Sequence, residues 1–477
     1  MRVRLAAILA AAALALVAGP ACADGALREG GARRLATKIT VAVEDAGVRY
    51  RFTAAVLNTA PLQFEWFTTS PVAAEGVRVQ SQAALDRSHR YCECYTNREW
   101  GDAGDATALW LSREVVDELG RAGVTALAFN DDSRTMAATH LHLVRRDRFV
   151  LTVDGAPGEV GALVARTDAG TELWIHDDPG DPLVLSVAGQ WSMRVTDIRQ
   201  RPDDDIQGFV TVDGLAMHYV MLGSGPPLFV VHGGPGMEHG YFRPYLDALA
   251  AQFTVIYVDQ QGQGLSERLP PGRPYTMAGA VAALDGLRAA LGFERIILLG
   301  HSYGGFVAQL YALAHQDRLA ALILADTAPS IAWNAEASAN IQRFGTPEQR
   351  NPPPGLSDDE RARLLFPLYF DPPEPGIGDR IMDPMIRSGE AWRQLTGGRE
   401  FRTYDVRAAL PSVRVPTLVL VGDHDLITTP NQSAIIAAGI PGAELHVFPA
   451  TGHNGFVEDP GMFNAEVARF GLAHAQR

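Results

Sequence analysis

The sequence predicts two domains: a β-rich N-terminal domain, followed by an α/β domain whose mostly parallel sheet has helices on both faces. Residues 24–200 contain short β-branched runs separated by turn residues, which is typical of strands. From residue 206 onwards, continuous apolar runs alternate with amphipathic segments of helical periodicity. Strands that are apolar throughout are typical of a parallel sheet whose two faces are both covered by helices.

Length and composition agree with this division. The chain has 477 residues, which is long for one domain and sufficient for two. Hydrophobic residues make up 47% and charged residues 20%, so we expect a folded, globular protein. The net charge of −14 argues against nucleic acid or an anionic membrane as the main partner. The oligomeric state is left open.

The first 23 residues have the pattern of a secretory signal peptide. Two arginines precede an apolar run over residues 5–18, and Ala21-Cys22-Ala23 offers small residues for cleavage. The apolar run is short for a helix that spans a bilayer, although a retained membrane anchor is the alternative. We therefore expect a mature protein that begins near Asp24, is periplasmic or secreted, and has no stable membrane insertion once the signal is removed.

Residues 24–200 are predicted to form a β-rich accessory domain with a helix over residues 112–120. That helix has a serine at its start and a glycine at its end, in "SREVVDELG". The polar, proline-containing segment 199–205 marks the domain boundary.

Residues 206–475 are predicted to form the α/β domain. A hairpin in "GFVTVDGLAMHYVMLGSGPP" is followed by the apolar strands "LFVVHG", "FTVIYVD", "RIILLGHS" and "LAALILAD", with a helix after each of the first three. The alternation stops near Pro329 and resumes at "PTLVLVG" and "AELHVFP". Residues 329–405 are thus predicted to be an inserted cap over the carboxyl edge of the sheet, where ligands bind in folds of this kind.

The segment "LLGHSYGG" makes Ser302 the predicted nucleophile. Ser302 lies between a predicted strand and a predicted helix, as a Gly-x-Ser-x-Gly turn requires. Gly300 and Gly304 supply the small residues that a strained turn needs, and Gly305 lets the helix approach the sheet. The alternative is that Ser302 only caps the helix.

A serine hydroxyl needs a base to become a nucleophile, and the base needs a group that orients it. "FPATGHNGF" places His453 on the loop after the last predicted strand. "LVLVGDHDLITTP" places Asp425 after the preceding strand, with Asp423 as a rival for the same role. The order Ser302, Asp425, His453 is the one expected for this kind of sheet.

Acyl transfer also needs N–H donors for the oxyanion. The backbone N–H of Tyr303, directly after the nucleophile, is the first predicted donor. "FVVHGGPG" ends an early strand with a glycine loop, in which Gly234 is the preferred second donor and Gly233 the next choice. His232 is expected to support this loop.

Residues 206–475 resemble the α/β-hydrolase superfamily and, within it, the proline iminopeptidases (prolyl aminopeptidases). The resemblance rests on "HGGPG" at 232–236, "DQQGQGLS" at 259–266, "GHSYGG" at 300–305, "GDHD" at 422–425 and "GH" at 452–453. It implies an α/β-hydrolase fold and release of an N-terminal residue, often proline, from a short peptide through an acyl-enzyme. It also implies that no metal or organic cofactor is needed.

The sequence departs from the family at two points. Gln261 and Gln263 stand where the family usually has arginine and a different residue. The family binds the free amine of its substrate with carboxylates contributed largely by the cap, and here no acid lies in a matching motif. The candidates for the amine site are Glu238, Glu336, Glu374 and Glu390.

Two other functions compete with an aminopeptidase that acts on small peptides. A carboxylesterase or lipase-like hydrolase would use the same triad on an ester substrate. A non-catalytic binding module would have no need of the triad and both oxyanion elements together. Epoxide hydrolases and dehalogenases are disfavoured, because they usually have aspartate where Ser302 stands.

The N-terminal domain contains one candidate for a structural metal site. If both pairs lie on strands, Cys92 with Cys94 and His140 with His142 each face one way and could converge on zinc. The simpler interpretation, two unrelated pairs and no metal, is favoured because no loop spacing supports a zinc site.

Overall fold

A computed structural model describes residues 37–59, 61–69, 71–72, 74–93, 95, 97, 99–102, 104–130, 136–199, 207–382 and 385–475. The expected signal peptide, Cys94 and residues 200–205 of the predicted boundary segment lie outside these residues. None of the helices in the described ranges combines the length and the apolar character that crossing a bilayer requires.

The N-terminal domain is built on one sheet. Its strands are β1 (Lys38–Asp45), β2 (Val48–Thr59), β3 (Leu62–Thr68), β4 (Glu75–Gln80), β5 (Arg90–Tyr91), β6 (Glu99–Asp102), β7 (Val124–Phe129), β8 (Ala137–Val153), β9 (Ala156–Thr167), β10 (Glu172–His176), β11 (Val184–Ala188) and β12 (Ser192–Arg199). Their order is β5-β7-β8-β9-β10-β11-β12-β1-β2-β3-β4-β6. Most neighbours are antiparallel, and a short parallel pairing of β8 with β12 closes a ring from β8 to β12.

Strand β3 has two buried faces. Phe64 and Trp66 point into the core of the N-terminal domain. Side chains alternate along a strand, so Glu65 and Phe67 point the other way. Glu65 is nevertheless only 7% exposed. The opposite face of β3 is therefore also covered, and it is covered by the second domain.

Within its described residues the N-terminal domain has two helices, α1 (Gln82–Arg87) and α2 (Arg113–Ala122). The predicted helix is α2, and the hydroxyl of Ser112 caps it by accepting from Val115 N–H. It ends three residues later than expected, at Gly123 rather than Gly120. Gly123 adopts a left-handed conformation with φ 76°, which favours glycine and stops the helix.

The second domain has an eight-stranded sheet in the order β13-β14-β16-β15-β17-β18-β19-β20. Its strands are β13 (Gln207–Val212), β14 (Leu215–Leu222), β15 (Pro227–Val231), β16 (Thr254–Val258), β17 (Ile296–His301), β18 (Leu319–Ala325), β19 (Thr417–Gly422) and β20 (Glu444–Phe448). The predicted hairpin is β13–β14, and β15 to β20 are all parallel to one another. Each predicted apolar strand is present.

Helices cover this sheet as predicted, with one exception. They are α3 (Met277–Ala290), α4 (Tyr303–Ala314), α5 (Trp333–Phe344), α6 (Pro347–Arg350), α7 (Asp358–Leu365), α8 (Ile377–Met382), α9 (Gly389–Gly397), α10 (Arg399–Arg402), α11 (Pro430–Gly439), α12 (Gly455–Glu458) and α13 (Pro460–His474). The helix expected between β15 and β16 is replaced by two short 3₁₀ turns. Pro244 lies between these turns and has no N–H for a helical hydrogen bond.

Helices α5 to α10 lie between β18 and β19, in the region where the cap was expected. Because β15 to β19 are parallel, their carboxyl ends share one edge of the sheet. The loops after β15, β17 and β19 bring Gly234, Ser302 and Asp425 to that edge.

Candidate active site

Ser302 occupies a strained turn between β17 and α4. Its φ of 54° and ψ of −121° lie outside the conformations that non-glycine residues favour. The Ser302 N–H donates to the carbonyl of Ala325 on β18 at 3.0 Å, which holds the turn against the neighbouring strand. A Cβ on Gly304 would lie 2.2 Å from the carbonyl oxygen of Val231, so only glycine lets α4 pack this closely on β15.

His453 and Asp425 meet beside this turn. Nδ1 of His453 lies 2.9 Å from Oδ2 of Asp425, and both side chains are buried. A carboxylate accepts hydrogen bonds, so Nδ1 carries the proton and Nε2 is the basic nitrogen. Nε2 is buried and has no hydrogen-bond partner among the described residues. It is therefore free to accept a proton from a nucleophile.

The Asp425 carboxylate is held as an anion. Burial would raise its pKa, but the charge and hydrogen bond of His453, with donors from Ile427 and Thr428, lower the pKa below its usual value. The backbone N–H groups of Ile427 and Thr428 bind Oδ1 at 2.7 Å and 3.0 Å. The rival Asp423 is 39% exposed and accepts from the Thr451 N–H at 3.3 Å. Of the two acids, Asp425 is thus the one that orients His453.

The two preferred oxyanion donors have unused N–H groups. Tyr303 is the first residue of α4, so its N–H has no partner within the helix. Gly234 has φ 43°, and no described residue accepts a hydrogen bond from its N–H. Gly233, the second choice, is not available as an oxyanion donor, because its N–H already donates to the hydroxyl of Tyr241 at 2.6 Å.

Tyr241 and His301 connect the glycine loop to the histidine loop. The Tyr241 hydroxyl donates to Nδ1 of His301 at 2.8 Å, and Nε2 of His301 donates to the backbone carbonyl of His453 at 2.9 Å. Burial lowers the pKa of His301 to about 3, so its ring is neutral and can accept at one nitrogen. Sequence reasoning missed both roles. His301 lies within the quoted "GHSYGG" motif, whereas Tyr241 had no signal at all.

The glycine loop is also fixed from the "DQQGQGLS" segment. Oε1 of Gln263 accepts from the Gly236 N–H at 2.5 Å, and Nε2 of His232 accepts from the Gln260 N–H at 3.2 Å. Gln263 is one of the two residues that depart from the family pattern. In this chain it supports the glycine loop.

A cavity of about 480 Å³ opens beside these groups and is lined by both Ser302 and His453. This volume suits a small-molecule ligand. Its walls come from the glycine loop, from the inserted helices and, unexpectedly, from the N-terminal domain. The walls include the aromatic side chains of Phe67, Phe366 and Trp392.

None of the four acids predicted for the amine site lines this cavity. Glu238 is buried and accepts from the Ile386 N–H at 3.1 Å. Glu336 binds the side chains of Asn431 and Gln432 at 2.7 Å and 2.8 Å, and so ties α5 to α11.

The other two acids contact residues close to them in the sequence. Glu374 pairs with Arg380 at 2.6 Å, and Glu390 accepts from Nε2 of Gln394 at 2.5 Å. The position of an acid in the sequence does not determine which way its side chain points after packing.

The acids that do line the cavity are Glu65, Glu75, Asp358 and Asp359. Glu65 pairs with Arg268 at 2.5 Å. Glu75 pairs with Arg393, and Asp359 pairs with Arg387. Asp358, at the first position of α7, is exposed and has no ion pair with any described residue.

One buried cluster has ligand atoms close enough for a metal. His218, His239 and Asp259 lie together among the described residues. Both carboxylate oxygens of Asp259 are already used, with Oδ1 accepting from His239 Nδ1 at 2.7 Å and Oδ2 from His218 Nδ1 at 2.9 Å. The cluster is a hydrogen-bonded support beneath the "DQQGQGLS" segment.

The four-residue zinc alternative in the N-terminal domain is not compatible with the structure. Cys92 is in a disulfide, and a disulfide sulfur is not a thiolate ligand. His140 and His142 both contact Asp168, at 3.0 Å and 2.8 Å. His140 and His142 pair with the Val124 end of β7. Tyr91, directly before Cys92, pairs with Phe129 at the other end of that strand, so the histidines do not meet Cys92.

Comparison with known proteins identifies the second domain. The family model for the "alpha/beta hydrolase fold" matches residues 226–362 and 382–460. The proline iminopeptidase of Saccharolobus solfataricus is 27% identical over 286 residues, which cover 55% of this chain and 91% of that protein. The proline iminopeptidase of Levilactobacillus brevis is 30% identical over 272 residues, which cover 52% of this chain and 89% of that protein.

Among solved structures, the proline iminopeptidase of Mycobacterium smegmatis aligns with 27% identity and a TM-score of 0.47, over 57% of this chain and 99% of that chain. The family model begins only at residue 226, after the N-terminal domain. From the matches in sequence, the chain belongs to the α/β-hydrolase fold family, and it resembles the proline iminopeptidases.

Proposed function

We propose that this hydrolase is an aminopeptidase of the proline iminopeptidase type, with Ser302 as its nucleophile. The observation that carries the proposal is the pair of His453 and Asp425, with Nε2 of His453 free beside a cavity that Ser302 also lines. The names of the relatives support the substrate class, a short peptide with a free N-terminus.

The proposed reaction has two halves. Nε2 of His453 takes the proton of the Ser302 hydroxyl while Oγ attacks the scissile carbonyl carbon. The N–H groups of Tyr303 and Gly234 bind the oxyanion that forms. The C–N bond then breaks, and the leaving amine takes the proton from Nε2. Water hydrolyses the acyl-enzyme by the same sequence of steps, and this returns Ser302 to its starting state.

Asp358 is the proposed partner for the substrate's free amine. It is the one cavity acid for which the described residues supply no cation, whereas Glu65, Glu75 and Asp359 are each paired with an arginine. Asp358→Asn should raise KM for a free-amine substrate and leave an N-acetylated ester unaffected. An equal effect on both substrates would remove Asp358 from this role.

The test of the proposed function is a substrate panel with wild type and Ser302→Ala. Prolyl p-nitroanilide, its N-acetylated form and a simple aryl ester separate the candidates. Rapid cleavage of the free-amine anilide alone supports the aminopeptidase, and Ser302→Ala should lower turnover by several orders of magnitude. If N-acetylation has no effect and the ester is preferred, a carboxylesterase or lipase-like function replaces it. The aromatic cavity walls favour that second candidate.

We also propose that the protein is periplasmic or secreted. Support comes from the signal-peptide pattern of residues 1–23. N-terminal sequencing of the protein recovered from its native compartment should find a chain that begins near Asp24. A chain that retains residues 5–18 in the membrane fraction would contradict cleavage.

A further inference from the structure

One face of the N-terminal sheet is turned towards the second domain. We define this domain face by five residues of β2, β3 and β4: Ala55, Leu57, Glu65, Phe67 and Glu75. The register brings them together, because Glu65 pairs with Ala55 across β2–β3 and Phe67 pairs with Glu75 across β3–β4. Directly paired residues share a face, so the alternation of the strands creates this surface.

The domain face is firmly attached to the α/β-hydrolase domain. Ala55 and Leu57 form a buried apolar cluster with Leu265 and Ile386. Two atoms of the Arg268 guanidinium contact Oε2 of Glu65 at 3.2 Å and 2.5 Å.

Arg268 also donates to the carbonyls of Gly264 and Ser266 at 2.8 Å and 2.9 Å. With its side chain only 1% exposed, Arg268 is a fixed anchor between the domains. The position of β3 relative to the catalytic sheet is therefore set by buried contacts on both sides of the ion pair.

A second set of contacts links the domain face to the inserted helices. Glu75 forms an ion pair with Arg393 of α9. The guanidinium carbon of Arg387 lies 5.8 Å from the ring centroid of Phe67, within cation–π range. Arg387 is in turn paired with Asp359 of α7. The domain face is thus linked to two of the helices that border the cavity, to α9 through Glu75 and to α7 through Arg387.

Phe67 is the aromatic side chain that this face presents to the cavity. It is partly exposed, whereas its strand neighbour Trp66 is packed in the core of the N-terminal domain. Phe67 and Glu75 line the same cavity as Ser302 and His453. An apolar ring held in place at a cavity wall excludes substrate groups by volume and favours apolar groups that fit against it.

We propose that the N-terminal domain is a constituent of the substrate site, with Phe67 as a specificity-determining residue that limits the enzyme to substrates bearing a short apolar group. The inference rests on the proposed hydrolase function of Ser302. The domain face forms one wall of the cavity and so reduces the space that a substrate group can occupy. This geometry fits an enzyme that acts on small compounds or on the end of a peptide.

The test compares Phe67→Ala, which enlarges the cavity, with Phe67→Trp, which reduces it. Val150→Ala is the matched control, since Val150 is 57% exposed on β8 of the same domain. Aryl esters with acyl groups from acetyl to octanoyl form one substrate series, and acetyl esters of alcohols of increasing size form the other.

Phe67→Ala should raise the ratio of kcat/KM for the largest substrate to that for the smallest by roughly tenfold in one of the series. Phe67→Trp should lower the same ratio, and Val150→Ala should leave it unchanged. Thermal unfolding checks that each variant is folded. If Phe67→Ala does not fold, the result with Phe67→Trp decides.

The proposal is overturned if both ratios stay within about twofold of wild type in every folded Phe67 variant. This outcome is distinct from failure of the proposed peptidase activity. An enzyme that hydrolyses esters but not amino-acyl anilides would still report the effect of Phe67 through both ester series. Equal losses on all substrates would likewise contradict a specificity role.

Discussion

Nε2 of His301 donates a hydrogen bond to the backbone carbonyl of His453, at 2.9 Å. His301, directly before Ser302, thereby holds the loop that carries His453. On its other side, Nδ1 of His301 accepts from Tyr241, whose oxygen accepts from Gly233. One buried ring thus sets the relative positions of the glycine loop, the serine turn and the histidine loop. The site is held in place by hydrogen bonds to backbone groups as well as by side chains.

The first prediction separates the two acids of the "GDHD" segment. Asp425→Asn should reduce kcat by about 10³- to 10⁴-fold, because an amide at this position no longer favours the tautomer with a basic Nε2. Asp423→Asn is the matched control and should stay within about twofold of wild type. Steady-state kinetics on one chromogenic substrate suffices for both. A larger loss in the Asp423 variant would reverse the assignment.

The second prediction concerns pH. The pKa of His301 is lowered by burial from 6.5 to about 3, so the unfolded chain binds a proton that the folded chain does not bind between these values. Stability from this residue is complete above pH 6.5 and is lost as pH falls towards 3. At pH 5 the loss amounts to about 2 kcal/mol relative to neutral pH.

Urea unfolding of wild type and His301→Gln between pH 5 and pH 8 measures this effect. The glutamine keeps a donor and an acceptor but does not titrate, so the variant should show a weaker decline at acid pH. His446→Gln on β20 serves as the control and should follow wild type. Parallel curves for wild type and His301→Gln would show that His301 is not the residue responsible.

The third prediction concerns the ion pair that joins the domains. Glu65→Gln removes the anion beside Arg268, which is buried, and should destabilise the protein by roughly 3–5 kcal/mol. Replacing both residues in Glu65→Leu/Arg268→Met should cost less, because no unpaired charge is left behind. A double-mutant cycle from denaturant unfolding gives the coupling between the two side chains. Additive effects would mean that the pair contributes nothing specific.

The fourth prediction uses two glycines that both lie within helices. Gly304→Ala would put a methyl group 2.2 Å from the Val231 carbonyl oxygen, so it should destabilise by about 1–3 kcal/mol and displace Ser302. Gly120→Ala in α2 meets only the end of the Arg146 side chain, at 3.5 Å. It should stabilise by about 0.5–1 kcal/mol. The melting temperature should therefore fall for Gly304→Ala and rise for Gly120→Ala, and only Gly304→Ala should lose activity.

The sequence alone determined the α/β sheet, the chain order of its strands and the turn that holds Ser302. These features depend on local patterns: apolar runs, helical periodicity and glycines where the backbone must bend sharply or approach another strand. The helix expected between β15 and β16 does not form, and the reason is equally local: a proline lies within that segment. Both residues predicted for the Asp–His pair came together because parallel strands end at a common edge.

Only the tertiary structure decided which acids face the cavity, that the Gly233 N–H is used by Tyr241, and that the N-terminal domain forms a wall of the site. The physical reason is that each of these depends on side chains that are far apart in the sequence. Glu65 and Arg268 are separated by 203 positions, and no local pattern relates them. The sequence determined the turn that holds Ser302, and the packing of two domains determined the walls of the cavity beside it.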